Sequence, residues 1–249
     1  MKIKTLLPSG TEATVSDNQN KEGLLVVFCG VDGAGKTSAI QAFCQEMESR
    51  GISHALFRNH VGDALYWRST MRSKEQVIKA GLGWPADVDR VLQAAEFLAN
   101  TRFVLPHLLV QNSVVVSDRY DVAKLVYARV KHRGGIGTAE RMLTLAQDIP
   151  RPDVIFYLSV SAQTASDRIS RRIALGGKQR DWKERREIIE KALYWYDFFL
   201  NQPTRSEVVM RIETERPLEL VHEEIIERFL LYLQSTDLLP SHSDLDITG

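Results

Sequence analysis

The octapeptide Gly30-Val31-Asp32-Gly33-Ala34-Gly35-Lys36-Thr37 constrains this chain more than any other stretch. Its spacing is glycine, four residues, glycine, lysine, then serine or threonine, the pattern of a phosphate-binding loop. The flanks fit the same geometry. Leu24 to Cys29 is a short apolar run with the length and β-branched content of a buried strand. Ser38 to Arg50 reads as a helix, with Ile40, Phe43, Cys44 and Met47 at helical spacing. A strand, a tight turn and a helix in that order gather successive backbone N–H groups and the positive end of the helix at one spot, where an anion can be held. Glycines let the backbone turn sharply and approach that anion closely. Lys36 adds a point charge where β- and γ-phosphates would lie, and Thr37 offers a hydroxyl to Mg²⁺.

The rest of the chain alternates in the same manner. Ser53 to Arg58, Ser113 to Ser117, Val154 to Val160 and Glu207 to Ile212 read as four further strands. Between them, helices are expected over 63–80, 87–111 (with a kink near Pro106), 122–131, 139–148, 162–175, 182–200 and 218–234. Five strands alternating with helices predict a parallel, doubly wound α/β sheet, whose ligands sit beyond the carboxyl ends of its strands. Gly30, Arg58, Asp118 and Ser159 fall at those ends. Residues 1–22 are mostly polar and read as an N-terminal arm, 23–235 as the domain, and 236–249 as a polar tail.

Composition narrows the function classes. Apolar residues make up 44% of the 249, enough for a sizeable core. Lys+Arg and Asp+Glu both number 32, and this balance argues against a general nucleic-acid or membrane-surface binder. Two cysteines, Cys29 and Cys44, make no disulfide framework and suggest reducing cytoplasm. No apolar run approaches the roughly 20 residues that span a bilayer. The six histidines show no metal-ligand spacing.

Two further stretches carry chemistry. Asp118-Arg119 leaves the triple-valine strand facing the same crevice as the loop. Asp118 can hold Mg²⁺ or its water opposite Thr37, and Arg119 can fork onto a second phosphate. Arg168 to Arg186 holds eight Lys/Arg against two acids, net +6 in a neutral chain. Such a segment fits a mobile lid, about 171–186, with Gly176-Gly177 as its flexible point. A turn-initiating Asp and a solvated basic helix are the alternatives. In Tyr194-Trp195-Tyr196-Asp197-Phe198-Phe199, base stacking is conceivable, and core packing of an amphipathic helix is favoured.

These motifs resemble the thymidylate kinase family of P-loop nucleoside-monophosphate kinases. Members read Phe-Glu-Gly-x-Asp-Gly-Ala-Gly-Lys-Thr, against Phe28 to Thr37 here; they have Asp-Arg-Tyr/Phe, against Asp118-Arg119-Tyr120. Their Pro-Asp, apolar strand and Ala-x-x-Arg are matched by Pro152-Asp153, Val154 to Leu158 and Ala165 to Arg168. The resemblance implies a P-loop NTPase three-layer α/β/α fold with a five-stranded parallel sheet and an arginine-rich lid. It implies phosphotransfer from ATP, with Mg²⁺, to a nucleoside monophosphate; a homodimer is left open. Gly30, Gly33, Ala34, Gly35, Lys36, Thr37 and Ser38 would bind ATP, and Thr37 and Asp118 the metal. Lys36, Asp32, Arg119, Arg172 and Arg180 would be catalytic. Arg58, Arg102, Arg119 and Tyr120 would meet the acceptor. Family positions that help recognise thymine fall on Ala123, Lys124 and Ala128, with only Tyr127 in agreement; Cys29 replaces a glutamate and Asn59-His60 a Glu-Pro pair. Those changes leave the acceptor open. They also keep two other readings in view: a nucleotide-binding regulator, and a kinase of another small metabolite on the same fold.

Overall fold

A computed structural model describes residues 23–57, 74–83, 86–131, 141, 149–203 and 205–236. The arm 1–22, Arg58 with Asn59-His60, most of the helix expected over 63–80, nearly all of that over 139–148, and the tail beyond 236 lie outside the described residues.

Strand β1 (Leu24–Cys29) is apolar on both faces, so it takes the centre of the sheet. It pairs in parallel with β3 (Val114–Asp118), from Leu24 beside Val114 to Phe28 beside Asp118. On its other side lies β4 (Val154–Ser159), from Val26 beside Val154 to Cys29 beside Tyr157. Short β2 (His54–Phe57) closes one edge and β5 (Val208–Glu213) the other, in the order β2-β3-β1-β4-β5. All four pairings are parallel. The connection after β1 leads toward one edge and that after β4 toward the other, so a crevice opens above the carboxyl end of β1.

Among the described residues the faces are covered by helices α1 (Lys36–Ser49), α2 (Ala86–Ala99), α3 (Leu105–Gln111), α4 (Asp121–Lys131), α5 (Ala162–Ala174), α6 (Arg186–Leu200) and α7 (Leu218–Ser235). Residues 74–79 are helical as well. One face is sealed by an aromatic cluster. Phe43 of α1 meets Phe28 edge-on at 5.5 Å and Phe229 of α7 at 4.9 Å, with Phe156 5.1 Å from Phe28. Each such ring contributes about 1.5–3 kcal/mol by leaving water. On the opposite face Tyr157 stacks on Tyr196 of α6 at 5.5 Å.

Two of the expected helices are irregular. The segment 87–111 is helical throughout, as expected, and the irregularity near Pro106 is a π-turn, Asn100–Val104, that divides it into α2 and α3. Pro106 has no N–H to donate, and its ring crowds the carbonyl four residues back. The backbone widens there, and Leu105 N–H reaches back to Asn100 O. The segment 182–200, by contrast, is interrupted: it begins with a separate 3₁₀ turn, Trp182–Glu184, and Arg185 is extended before α6 starts. Asp181 and Glu184 form a reciprocal capping box there. Gly176-Gly177, expected as a flexible point, terminates α5. Gly176 is left-handed at φ 83°, its N–H bonds Ile173 O, and Gly177 N–H bonds Arg172 O.

Candidate active site

The glycine-rich loop is wedged between β4 and α5. Gly30 has φ 142°, and a Cβ there would lie 2.7 Å from Leu158 O. Gly33 has φ 85°, and its Cβ would lie 2.5 Å from Ala165 O. Both positions exclude side chains twice over, by backbone conformation and by a neighbouring carbonyl. Gly35, left-handed, then opens α1. Lys36 is only 7% exposed; its ammonium donates to Gly30 O at 3.2 Å and Val31 O at 2.8 Å, 3.8 Å from Asp32 Oδ1. Burial, helped by the Arg119 charge, pulls its pKa down to about 8 against the opposing pull of Asp32 and Asp118.

A cleft of about 320 Å³ lies against the loop, bounded by Asp32, Gly33, Gly35 to Ser38, Asp118, Arg119, Arg168 and Arg172 among others. Thr37 and Asp118 are both exposed in it. Among the described residues no group of three or more His, Cys, Asp or Glu could hold a metal by itself. A hydroxyl and a carboxylate fit Mg²⁺, which keeps several waters and takes its other oxygens from phosphates.

Arg119 follows β3 in the left-handed region at φ 69°, and it alone among the described non-glycine residues has a positive φ. Its N–H bonds Phe28 O at 2.8 Å, and its carbonyl accepts from the Ser117 hydroxyl at 2.6 Å. This turn sends the guanidinium back over the loop. Nη2 donates to Asp32, and Nη1 donates to Tyr127 at 3.2 Å and Tyr196 at 3.1 Å. Burial alone would raise the Asp32 carboxyl, but the charges of Arg119 and Lys36 outweigh it and hold that carboxyl below its ordinary value. Beneath the loop, burial pushes the Cys29 thiol up to about 12, so it stays protonated and inert.

Helix α5 brings two arginines to the cleft. Arg168 donates to Gly33 O and Thr214 Oγ1, both at 3.3 Å, and to Thr214 O, so it bridges the loop and the end of β5. Arg172 forks onto Glu184, Nη1 to Oε1 at 3.1 Å and Nη2 to Oε2 at 2.9 Å. Arg180 is turned elsewhere: it donates to Glu184 O and to Ser170 Oγ, each at 2.8 Å, and does not line the cleft. Arg102 is exposed on the π-turn. Tyr120 requires a correction, because it is a core residue. It is 1% exposed, its ring packs on Phe97 and Phe57, and its hydroxyl donates to Pro150 O. The backbone reversal at Arg119 aims the next side chain inward. Ala123 and Ala128 are buried on α4, while the Lys124 ammonium lies over the Phe97 ring at 5.7 Å. Sequence reasoning gave no site role to Arg168, Glu184 or Tyr196. A usable signal existed for Tyr196: a tyrosine in an otherwise aliphatic buried stripe needs a partner for its hydroxyl.

Strand order and loop together place the chain among the P-loop nucleotide-binding proteins. Within that class it belongs to the thymidylate kinase family, whose model, described as "Thymidylate kinase", matches residues 28–225. Similar proteins include the thymidylate kinase of Fervidobacterium nodosum, 25% identical over 84% of this chain and 100% of that protein. The thymidylate kinase of Leptospira interrogans is 26% identical over 87% of this chain and 98% of its own length. A probable thymidylate kinase of Methanocaldococcus jannaschii is 24% identical over 82% and 95%. Membership makes this chain an enzyme of ATP-dependent phosphotransfer to a nucleoside monophosphate. No helix among the described residues is long and apolar enough to cross a membrane.

Proposed function

We propose that this enzyme moves the γ-phosphoryl group of ATP, taken with Mg²⁺, onto the phosphate of a pyrimidine nucleoside monophosphate, with weaker preference for thymidylate than its relatives. The observation that supports this most is the single cleft in which Lys36 and Thr37 face Arg119. Donor and acceptor phosphates would meet between them. The bond from the γ-phosphorus to its bridging oxygen breaks, a bond to an acceptor phosphate oxygen forms, and ADP leaves. The acceptor is already anionic near neutral pH and needs no general base.

The backbone of Gly30, Gly33, Ala34, Gly35 and Ser38 would cradle the ATP phosphates, with Lys36 as the nearest cation. The Thr37 hydroxyl and Asp118 carboxylate would hold Mg²⁺, which neutralises phosphate charge when bound. Arg172 would meet the charge that develops on the transferring group, with Arg180 bracing the lid around it. Arg119, steered by Asp32, would clamp the acceptor phosphate together with Arg58, and Arg102 would stand near the base. At the thymine-recognising positions the buried Ala123 and Ala128 offer no hydrogen bonds, so discrimination between bases is weak there. The charge balance and the two free cysteines support a cytoplasmic setting.

Release of ADP is measured against the common ribo- and deoxynucleoside monophosphates. Turnover of thymidylate alongside other pyrimidine monophosphates is expected. Strict thymidylate preference would remove the relaxed base pocket, and absence of turnover with every monophosphate would remove the reading itself.

A further inference from the structure

The buried side of α6 is Ile189, Ala192, Tyr196 and Leu200. Three of these are aliphatic and serve only to pack. Tyr196 is 0% exposed, and its ring is accounted for by stacking on Tyr157. A phenylalanine would serve that purpose equally. The hydroxyl is what packing does not explain. Among the described residues its hydrogen-bond partner is Arg119 Nη1, at 3.1 Å. Burial drives its pKa far up, so it stays neutral and can accept from the cation.

Arg119 needs such partners. Its backbone is held in a left-handed conformation that a non-glycine residue adopts at a cost, and its side chain must span the cleft without collapsing onto one carboxylate. Asp32 of the loop fixes Nη2, whereas Tyr127 of α4 and Tyr196 of α6 fix Nη1. The guanidinium is thus located from three separate elements. Helix α6 is also the element that follows the lid turn Trp182–Glu184, where Arg172 is gripped.

We infer that Tyr196 is a positioning residue for the acceptor end of the reaction: its hydroxyl sets the orientation of Arg119, and α6 thereby ties the lid to the acceptor phosphate. This inference rests on the proposed role of Arg119.

The test is Tyr196→Phe, which keeps the ring and the stacking and deletes one oxygen. It is assayed with the monophosphate that the panel turns over fastest. Acceptor kcat/KM should fall roughly tenfold, the range for a lost hydrogen bond to a charged group. Most of that loss should appear in the acceptor KM, with the KM for ATP near wild type and the melting temperature little changed. On an Arg119→Ala background the same substitution should have no further effect. Wild-type acceptor kinetics in Tyr196→Phe, beside an impaired Arg119→Ala, would overturn the inference and leave the role of Arg119 standing. An equal loss on both backgrounds would also overturn it, because Tyr196 would then act elsewhere. Wild-type kinetics in Arg119→Ala would overturn the role of Arg119 and this inference with it.

Discussion

Lys36 is buried among backbone carbonyls with a pKa near 8, and bound triphosphate would bring the negative charge that restores its proton. At pH 8 the free enzyme holds this group about half protonated, so ATP binding should take up roughly half a proton. As pH rises from 7 to 9, ATP affinity should fall, since more of the free enzyme must first regain the proton. Calorimetric titrations in buffers of different ionisation enthalpy measure the uptake. Lys36→Arg should abolish it, because a guanidinium stays charged throughout. Buffer-independent heats in the native enzyme at pH 8 would refute this account. The free fold follows the opposite sign: between pH 8 and 10.5 the unfolded chain binds more protons than the native one, so this group makes stability rise with pH. Its neighbour Arg119 illustrates strain held in place, as the left-handed backbone costs about 1–2 kcal/mol and three side-chain partners retain it.

At the scale of elements, the proposed lid is organised around one acid. Glu184 is buried, and its carboxylate accepts both Arg172 nitrogens and the Asp181 N–H, while its carbonyl accepts Arg180. Glu184→Ala should free Arg172 to sample many rotamers and loosen the 3₁₀ turn. The expected result is a fall in kcat of roughly tenfold or more, the range for charge-assisted bonds, with acceptor KM nearly unchanged. Steady-state kinetics on both substrates separate the two; a pure KM effect would mean that Arg172 serves binding and not the transition state. The acid was hard to read from sequence, because a capping-box glutamate and an arginine clamp have the same local pattern. The break before α6 was hidden for a similar reason: 182–200 carries helical periodicity throughout, and only the reciprocal bonds of Asp181 and Glu184 stop the turn early. By contrast β1 and the loop were legible residue by residue, and α1 to within two residues at each end. Their chemistry is local, with the strand pattern, the glycines and the helix spacing all within about 25 residues. Core packing of Tyr196 was legible from periodicity, but the partners of the Tyr196 and Tyr120 hydroxyls were not, because they lie 77 and 30 residues away and periodicity reports only which face is buried.

For the whole molecule, the site is assembled from the carboxyl ends of β1 and β3 and from α5, so its geometry depends on the sheet staying closed on both faces. The seal formed by Phe28, Phe43, Phe156 and Phe229 is held together by its rings, and its link to the charged lining of the cleft is through the backbone, where Phe28 O accepts the Arg119 N–H. Removing it should therefore weaken the fold without changing the chemistry. Phe229→Ala leaves a cavity against Phe43 and should lower stability by about 3–5 kcal/mol, a large part of what a domain of this kind possesses. ATP binds the folded state alone, and at a hundred times its dissociation constant it returns about 2.7 kcal/mol. The variant should melt well below the native enzyme, regain much of the difference with saturating ATP and Mg²⁺, and show native kcat once the folded fraction is counted. Denaturant melts with and without nucleotide, read beside turnover at the same temperature, check this. A kcat that stays low in the fully folded, nucleotide-saturated variant would mean that the aromatic seal also sets the geometry of the loop above it.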